Sequence, residues 1–255
     1  MTAPAVHVFE ERLLGYRRTY RATLFTSFAS PALFLVAMGI GLGGFVNQGA
    51  GIEGVPYVAF LAPGLLAGAA MQTAAFESTF PILASIRWIK TYYAMLASPI
   101  GVTDVVIGQL AWIALRLVIV TTIFVATAAV LGAVHGPTIL LGIPAAVLTG
   151  MAFATPIAAF SASLQNVEGF NVLFRFVINP LFLFSGAFFP VAQLPEILRV
   201  VAYATPIYHG VQLTRGLVLQ TIAPADAVLH VAVLAAFVAA GTVACLVTFR
   251  RRLVV

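Results

Sequence analysis

The chain has 255 residues, of which 62% are hydrophobic and only 8% are charged, and its mean hydropathy is +1.06. A soluble domain of that length has too little interior to hide so much apolar surface, so that class is excluded. The formal charge of +5 sits beside the apolar runs, which speaks for membrane topology and against nucleic acid.

Successive stretches of about 20 residues carry little or no charge, enough to cross a hydrocarbon core of about 30 Å. They predict an all-α, polytopic membrane protein, because a barrel would show short alternating strands instead. Residues 4–23 place Val6, Phe9, Leu13, Tyr16 and Tyr20 at helical spacing among Glu10, Glu11, Arg12, Arg17, Arg18 and Arg21. That pattern suits an interfacial helix with its basic residues toward anionic lipid. A solvated arm that merely sets topology is the plainer alternative.

Spans are expected over residues 24–46, 57–80, 105–132, 138–163, 170–189 and 226–249, six in all. The first contains a Gly39/Gly43 pair that permits close helix approach. A polar turn at 47–56 follows, and the second span carries Glu77 near its far end. Residues 81–104 form a loop containing Arg87-Trp88-Ile89-Lys90-Thr91-Tyr92-Tyr93-Ala94-Met95, the most charged and aromatic interruption in the chain. A turn at His135-Gly136-Pro137 separates spans three and four. Residues 190–225 are cut by Pro190, Pro195, Pro206 and Pro224 into pieces too short to cross, the pattern of a re-entrant segment. With both termini inside, Arg12, Arg17, Arg18, Arg21, Arg87, Lys90, Arg175 and Arg250 to Arg252 fall on the cytoplasmic side, and Arg199 and Arg215 outside. The loop at 81–104 is then cytoplasmic.

The sequence carries little that could do chemistry. It has no GxxxxGK[ST] loop to cradle ATP, no HExxH and no CxxC. The histidines are scattered, Cys245 stands alone, and Ser161, Ser163 and Ser185 have no evident base beside them. No catalytic, metal or cofactor residue is therefore expected in this chain.

Two sets of intramembrane polar residues stand out. Arg116 lies near the middle of the third span, where a charge costs at least ~2.5 kcal/mol unless it meets a partner or water. Glu77 matches it in sign but lies about 10 Å nearer the cytoplasm at 1.5 Å per residue, which makes direct pairing marginal. A structural pair and a substrate path are both open for these two. Glu168, Asn171, Arg175 and Asn179 share one helical face at the start of the fifth span, opposite Phe170, Phe174 and Phe176. The stripe suits a wet path or a subunit seam, or else Arg175 and Glu168 snorkel to the headgroups.

Several motifs together resemble the ABC-2 type permeases, especially the branch of nodulation lipo-oligosaccharide and daunorubicin-type drug exporters. They are the run from Lys90 to Pro99, then Asn179-Pro180, Phe184-Ser185-Gly186, Phe189-Pro190, Leu194-Pro195, Thr205-Pro206, and His209-Gly210-Val211 with Arg215. The resemblance implies a prokaryotic cell-membrane protein with six spans and both termini inside. It also implies re-entrant helices outside and pairing with a second permease chain, as a homo- or heterodimer. ATP and Mg would be bound by a separate cytoplasmic ABC ATPase, in two copies, gripping the loop between spans two and three. Arg87, Trp88, Lys90, Tyr92, Tyr93 and Met95 are then the candidate coupling residues, although an aromatic interface belt would use the same residue types. The substrate class implied is a drug, lipid or lipo-oligosaccharide, which places antibiotic resistance among the possible roles. The rival reading is an ion-coupled secondary transporter, but the span interiors offer no central carboxylate for it.

Overall fold

A computed structural model describes residues 3–43, 52, 54–133 and 136–254, with the side chains of 3, 18–31, 39, 40 and 42 outside the description. Most of the expected turn at 47–56, His135, and the side chains of Arg18, Tyr20, Arg21 and Gly39 therefore lie outside it. Among the described residues the structure is helical, apart from one bridge between Ile52 and Val55.

The order is α1 (Ala3–Phe34), a π-helical stretch (Leu35–Leu42), α2 (Tyr57–Glu77), α3 (Phe80–Arg87), α4 (Thr91–Leu96) and α5 (Val102–Val130). A 3-10 turn (Pro137–Leu141) leads into α6 (Gly142–Ser163), α7 (Glu168–Leu173), a π-helical turn (Phe174–Ile178) and α8 (Asn179–Leu183). After a further 3-10 turn come α9 (Glu196–Tyr203), α10 (Pro206–Leu219) and α11 (Pro224–Leu253). Among the described residues, four stretches are long and apolar enough to cross a membrane: Tyr57–Arg87, Val102–Val130, Pro137–Ser163 and Pro224–Leu253.

The bundle is built around α6, which packs against α2, α5, α10 and α11. Small residues make the close approaches possible. A Cβ on Gly68 of α2 would lie 2.1 Å from the Phe182 ring, and one on Gly241 of α11 would lie 2.2 Å from Thr155 Oγ1. Helix α11 lies at the periphery of the bundle and packs along one narrow face, with Leu234, Gly241, Cys245, Phe249 and Leu253 buried. Pro224 sits in its first turn and Arg250 to Arg252 in its last, as its dipole favours.

Three details depart from the periodicity reading. Residues 4–23 are not a separate surface helix, because α1 runs unbroken to Phe34. Its stripe of Val8, Phe9, Leu13 and Tyr16 packs into the protein core instead of facing only headgroups. Gly108 of α5 makes this possible, since a Cβ there would meet Val8 at 2.6 Å. Over the expected span at 170–189 the helical run begins at Glu168 and ends at Leu183, wound as α, π and α in succession. Pro180 lacks the N–H that a continuing α ladder would need, and the pieces before it are wound as a π turn. Finally, α2 bends at Ser78-Thr79 and continues as α3, so the loop expected from 81 begins as a half-buried helix. Ser161 Oγ of α6 donates to the Ser78 carbonyl at 2.6 Å and fixes that bend.

Candidate functional site

The segment from Arg87 to Pro99 lies at the basic end of the bundle, where α11 also brings its three arginines. Helix α3 closes with the Trp88 and Ile89 amides both donating to the Ala84 carbonyl, at 3.1 and 2.9 Å. Lys90 then adopts a left-handed conformation, φ 58°, which turns the chain sharply into α4. The turn leaves Trp88 60% and Ile89 71% exposed, beside exposed Arg87 and Lys90. Among the described residues neither Arg87 nor Lys90 has an ion pair or side-chain hydrogen bond. Together with Ile86, Tyr93 and Arg252 they line an open cleft of about 580 Å³.

Tyr92 behaves differently from its neighbours. It is fully buried, so it is no part of an exposed docking face, contrary to its place among the expected coupling residues. The left-handed Lys90 explains this: a continuous helix would put Trp88 and Tyr92 on one face, but the chain is re-aimed between them, so Trp88 and Ile89 stay outward while Tyr92 of α4 turns inward. Its hydroxyl accepts from Arg12 Nη2 at 3.1 Å and donates to Gln109 Oε1 at 3.2 Å. Arg12 also donates to Ser85 Oγ at 2.8 Å, and the Tyr92 ring rests against Phe249 at 5.8 Å. One network thus ties α4 to α1, α3, α5 and α11. Burial pushes the Tyr92 phenol above its ordinary range, outweighing the downward pull of Arg12, so the hydroxyl stays a neutral donor. Tyr93, more exposed, donates to the Arg252 carbonyl at 3.4 Å, and Met95 is half-buried against the core.

Glu77 and Arg116 meet directly, which corrects the marginal reach estimated from axial rise. Arg116 Nε donates to Glu77 Oε1 at 2.9 Å, and Trp112 Nε1 donates to Glu77 Oε2 at 3.3 Å. The offset closes because Cα–Cβ bonds tilt toward a helix's N-terminus. Helices α2 and α5 run in opposite directions, so the two side chains lean toward each other. The Arg116 guanidinium also lies over the Tyr16 ring at 4.7 Å, bringing α1 into the contact.

The stripe of Glu168, Asn171, Arg175 and Asn179 is exposed along its whole length despite the π turn. Phe170 and Phe174 point the other way and pack on Phe80 and Phe76, at 5.0 and 4.8 Å. Asn179 alone of the stripe reaches an apolar groove of about 730 Å³ lined by Phe34, Met38, Tyr57, Phe182 and Phe188.

Arg215, which topology counting placed simply outside, is 5% exposed within α10. Its guanidinium donates to the carbonyls of Phe60 at 3.1 Å, Gly186 at 2.8 Å and Ala187 at 3.3 Å, and stacks 3.6 Å over the Phe60 ring. Gly186 has φ +85°, a backbone shape open to glycine, which presents that carbonyl. The sequence signal was available: a lone cation in the apolar run 206–219 needs partners, but carbonyl partners leave no pattern in a sequence.

The family model for ABC-2 type transporters matches residues 6–219. The chain belongs to the ABC-2 type transporter family. Nodulation protein J of Rhizobium leguminosarum bv. viciae is 32% identical over 247 residues, covering 96% of this chain and 93% of the relative. Nodulation protein J of Bradyrhizobium diazoefficiens is 33% identical over 247 residues, covering 96% and 92%. That of Sinorhizobium fredii is 31% identical over 233 residues, covering 91% and 87%. The ABC-2 chain is thus the membrane subunit of an ABC transporter, similar to these relatives over nearly their full length.

Proposed function

We propose that the chain is the permease of an ATP-driven exporter that moves an amphiphilic or hydrophobic molecule, such as a drug, lipid or lipo-oligosaccharide, out of the cytoplasm. The observation that carries the mechanism is the 87–95 turn, whose outward side chains are apolar groups and cations with no partner among the described residues, while its inward Tyr92 is hydrogen-bonded to α1 and α5 and packs on α11. On this reading the turn is cytoplasmic, both termini are inside, and two ATPase copies bind ATP and Mg beneath two permease chains. Trp88 and Ile89 would seat in an apolar groove of the ATPase, with Arg87 and Lys90 meeting an acidic rim. Closure of the ATPases would push α4, and Tyr92 would pass that displacement to α1, α5 and α11. Helices α2 and α7 would follow through the Ser78 bend and the Phe80–Phe170 contact.

The exposed stripe from Glu168 to Asn179 supports a subunit seam there, and the aromatic groove beside Asn179 suits an apolar portion of the cargo. Helices α9 and α10, 8 and 14 residues long, are too short to cross and support a re-entrant hairpin on the outer side. The whole reading is tested by reconstituting the chain with its ATPase and measuring ATP hydrolysis against amphiphile concentration. Stimulation by amphiphile is expected, and a flat response with an active, bound ATPase would reject the exporter.

A further inference from the structure

Across the hairpin, His209 Nδ1 of α10 and His230 Nδ1 of α11 stand 2.8 Å apart, and His209 Nε2 lies 3.0 Å from the Tyr203 carbonyl at the end of α9. Two elementary constraints fix where the protons are. A carbonyl only accepts, so His209 Nε2 must carry a hydrogen, and a neutral imidazole carries just one. His209 Nδ1 is therefore bare, and His230 Nδ1 must be the donor. A first added proton goes to His230 Nε2, where Asp226, one helical turn earlier on α11, favours it. It leaves both hydrogen bonds intact. A second must go to His209 Nδ1, toward which His230 Nδ1–H already points. Two donors facing each other at that distance cannot coexist.

We propose that His209 and His230 form an acid-released latch: the contact between the α9–α10 hairpin and α11 holds with zero or one proton and opens with two. The geometry gives the release somewhere to act. Along α9 only Ala202 is buried, while Ile197, Val200 and Val201 are exposed, so little else holds that helix. The rings of Tyr203 and Tyr208 pack edge-on at 4.8 Å, and Tyr208 also meets both histidines, at 5.4 and 6.2 Å. The titratable groups around the pair are Tyr203 from α9, Tyr208 from α10 and Asp226 from α11, with Glu196 and Arg199 further along α9. Helix α6 and the 3-10 turn at Pro137–Leu141, both packed on α10, carry none. Tyr57 and Glu77 of α2 are bonded to Phe188 and Arg116, and Arg215 is turned toward Phe60 and Gly186. The sign follows: the opened state binds more protons, so the latch is present at neutral and higher pH and is lost as pH falls. That the outside medium is what acidifies rests on the orientation proposed above.

The full chain in lipid nanodiscs, where both faces meet the buffer, separates the latch from that orientation. Nitrogen-15 NMR of labelled histidine at pH 8 should show His209 protonated at Nε2 and His230 at Nδ1, the latter identified by its loss in His230→Asn. Amide hydrogen exchange across Glu196–Tyr203, the loosely held helix, corrected for intrinsic rates, should rise at least about fivefold between pH 7.5 and pH 5. His230→Asn should abolish that rise, because a carboxamide can donate to neutral His209 and accept from the protonated ring. The reverse tautomers, an exchange rate indifferent to acid, or an unchanged acid response in His230→Asn would each overturn the latch. If the acid response holds in nanodiscs but sealed vesicles respond only to the lumenal or only to the external pH, that result reports sidedness and bears on the exporter orientation alone.

Discussion

Two arginines inside the bundle meet the cost of burying a charge in different ways. Arg116 has a carboxylate partner, and removing Glu77 would leave the cation uncompensated, a loss of about 3–5 kcal/mol for such a pair. Glu77→Ala should therefore destabilise strongly, while exchanging the two charges (Glu77→Arg with Arg116→Glu) should recover part of the loss. Reversible denaturation in micelles, arranged as a double-mutant cycle, reads the coupling, and additive losses would contradict a direct pair. Arg215 donates to a fan of carbonyls that a lysine cannot reproduce. Arg215→Lys should cost about 2–4 kcal/mol through the acceptors it leaves unsatisfied. Near-wild-type stability of that variant would show that the fan is dispensable. Arg116 was conspicuous in the sequence as a charge inside an apolar run, whereas Arg215 stood out only within the block of family-like motifs. Their partners were not legible, because reach depends on the direction in which a side chain leans and on carbonyls freed by irregular backbone.

At the scale of the element, the turn between α3 and α4 has an outer and an inner face with separable roles. Charge reversal at Arg87 and Lys90 should weaken ATPase association about tenfold or more, read by co-purification across a salt series. Tyr92→Phe should leave association unchanged, since the side chain is buried, yet cut amphiphile-stimulated ATP hydrolysis at least about fivefold by severing the link to Arg12 and Gln109. Parallel loss of both properties in both variants would remove the distinction. Sequence reasoning located this segment well because charge and aromaticity interrupt a greasy chain there. It could not sort Tyr92 from Tyr93, since adjacent residues differ in burial only once the helix is oriented. Helix α1 was misread for a related reason: an apolar stripe looks the same whether it faces lipid or α5. The run from Glu168 to Leu183 changes its winding at the π turn and at Pro180 without any change in hydropathy that would mark it.

For the whole molecule, the polar stripe is one of the surfaces the single chain leaves exposed, beside the apolar outer face of α11. If the stripe is the seam, Asn171→Cys should form disulfide-linked pairs in membranes under mild oxidation, whereas buried Cys245 should not. Failure to cross-link in functional membranes would move the seam to another face. The all-α membrane class was legible from composition and the lengths of the apolar runs, because a bilayer constrains length and polarity so severely. How those runs pack depends on glycine contacts such as Gly108 on Val8, which hydropathy does not register.

The central claim is that energy enters this chain mechanically, through the 87–95 turn, from a separate ATPase. The most direct measurement is ATP hydrolysis by the co-reconstituted complex at saturating amphiphile, comparing the wild type with Trp88→Ala/Arg87→Glu. The account predicts stimulation in the wild type and its loss in the double variant, with the ATPase's basal rate unchanged. Amphiphile movement driven by an ion gradient with no ATPase present, or full stimulation in the double variant, would contradict it.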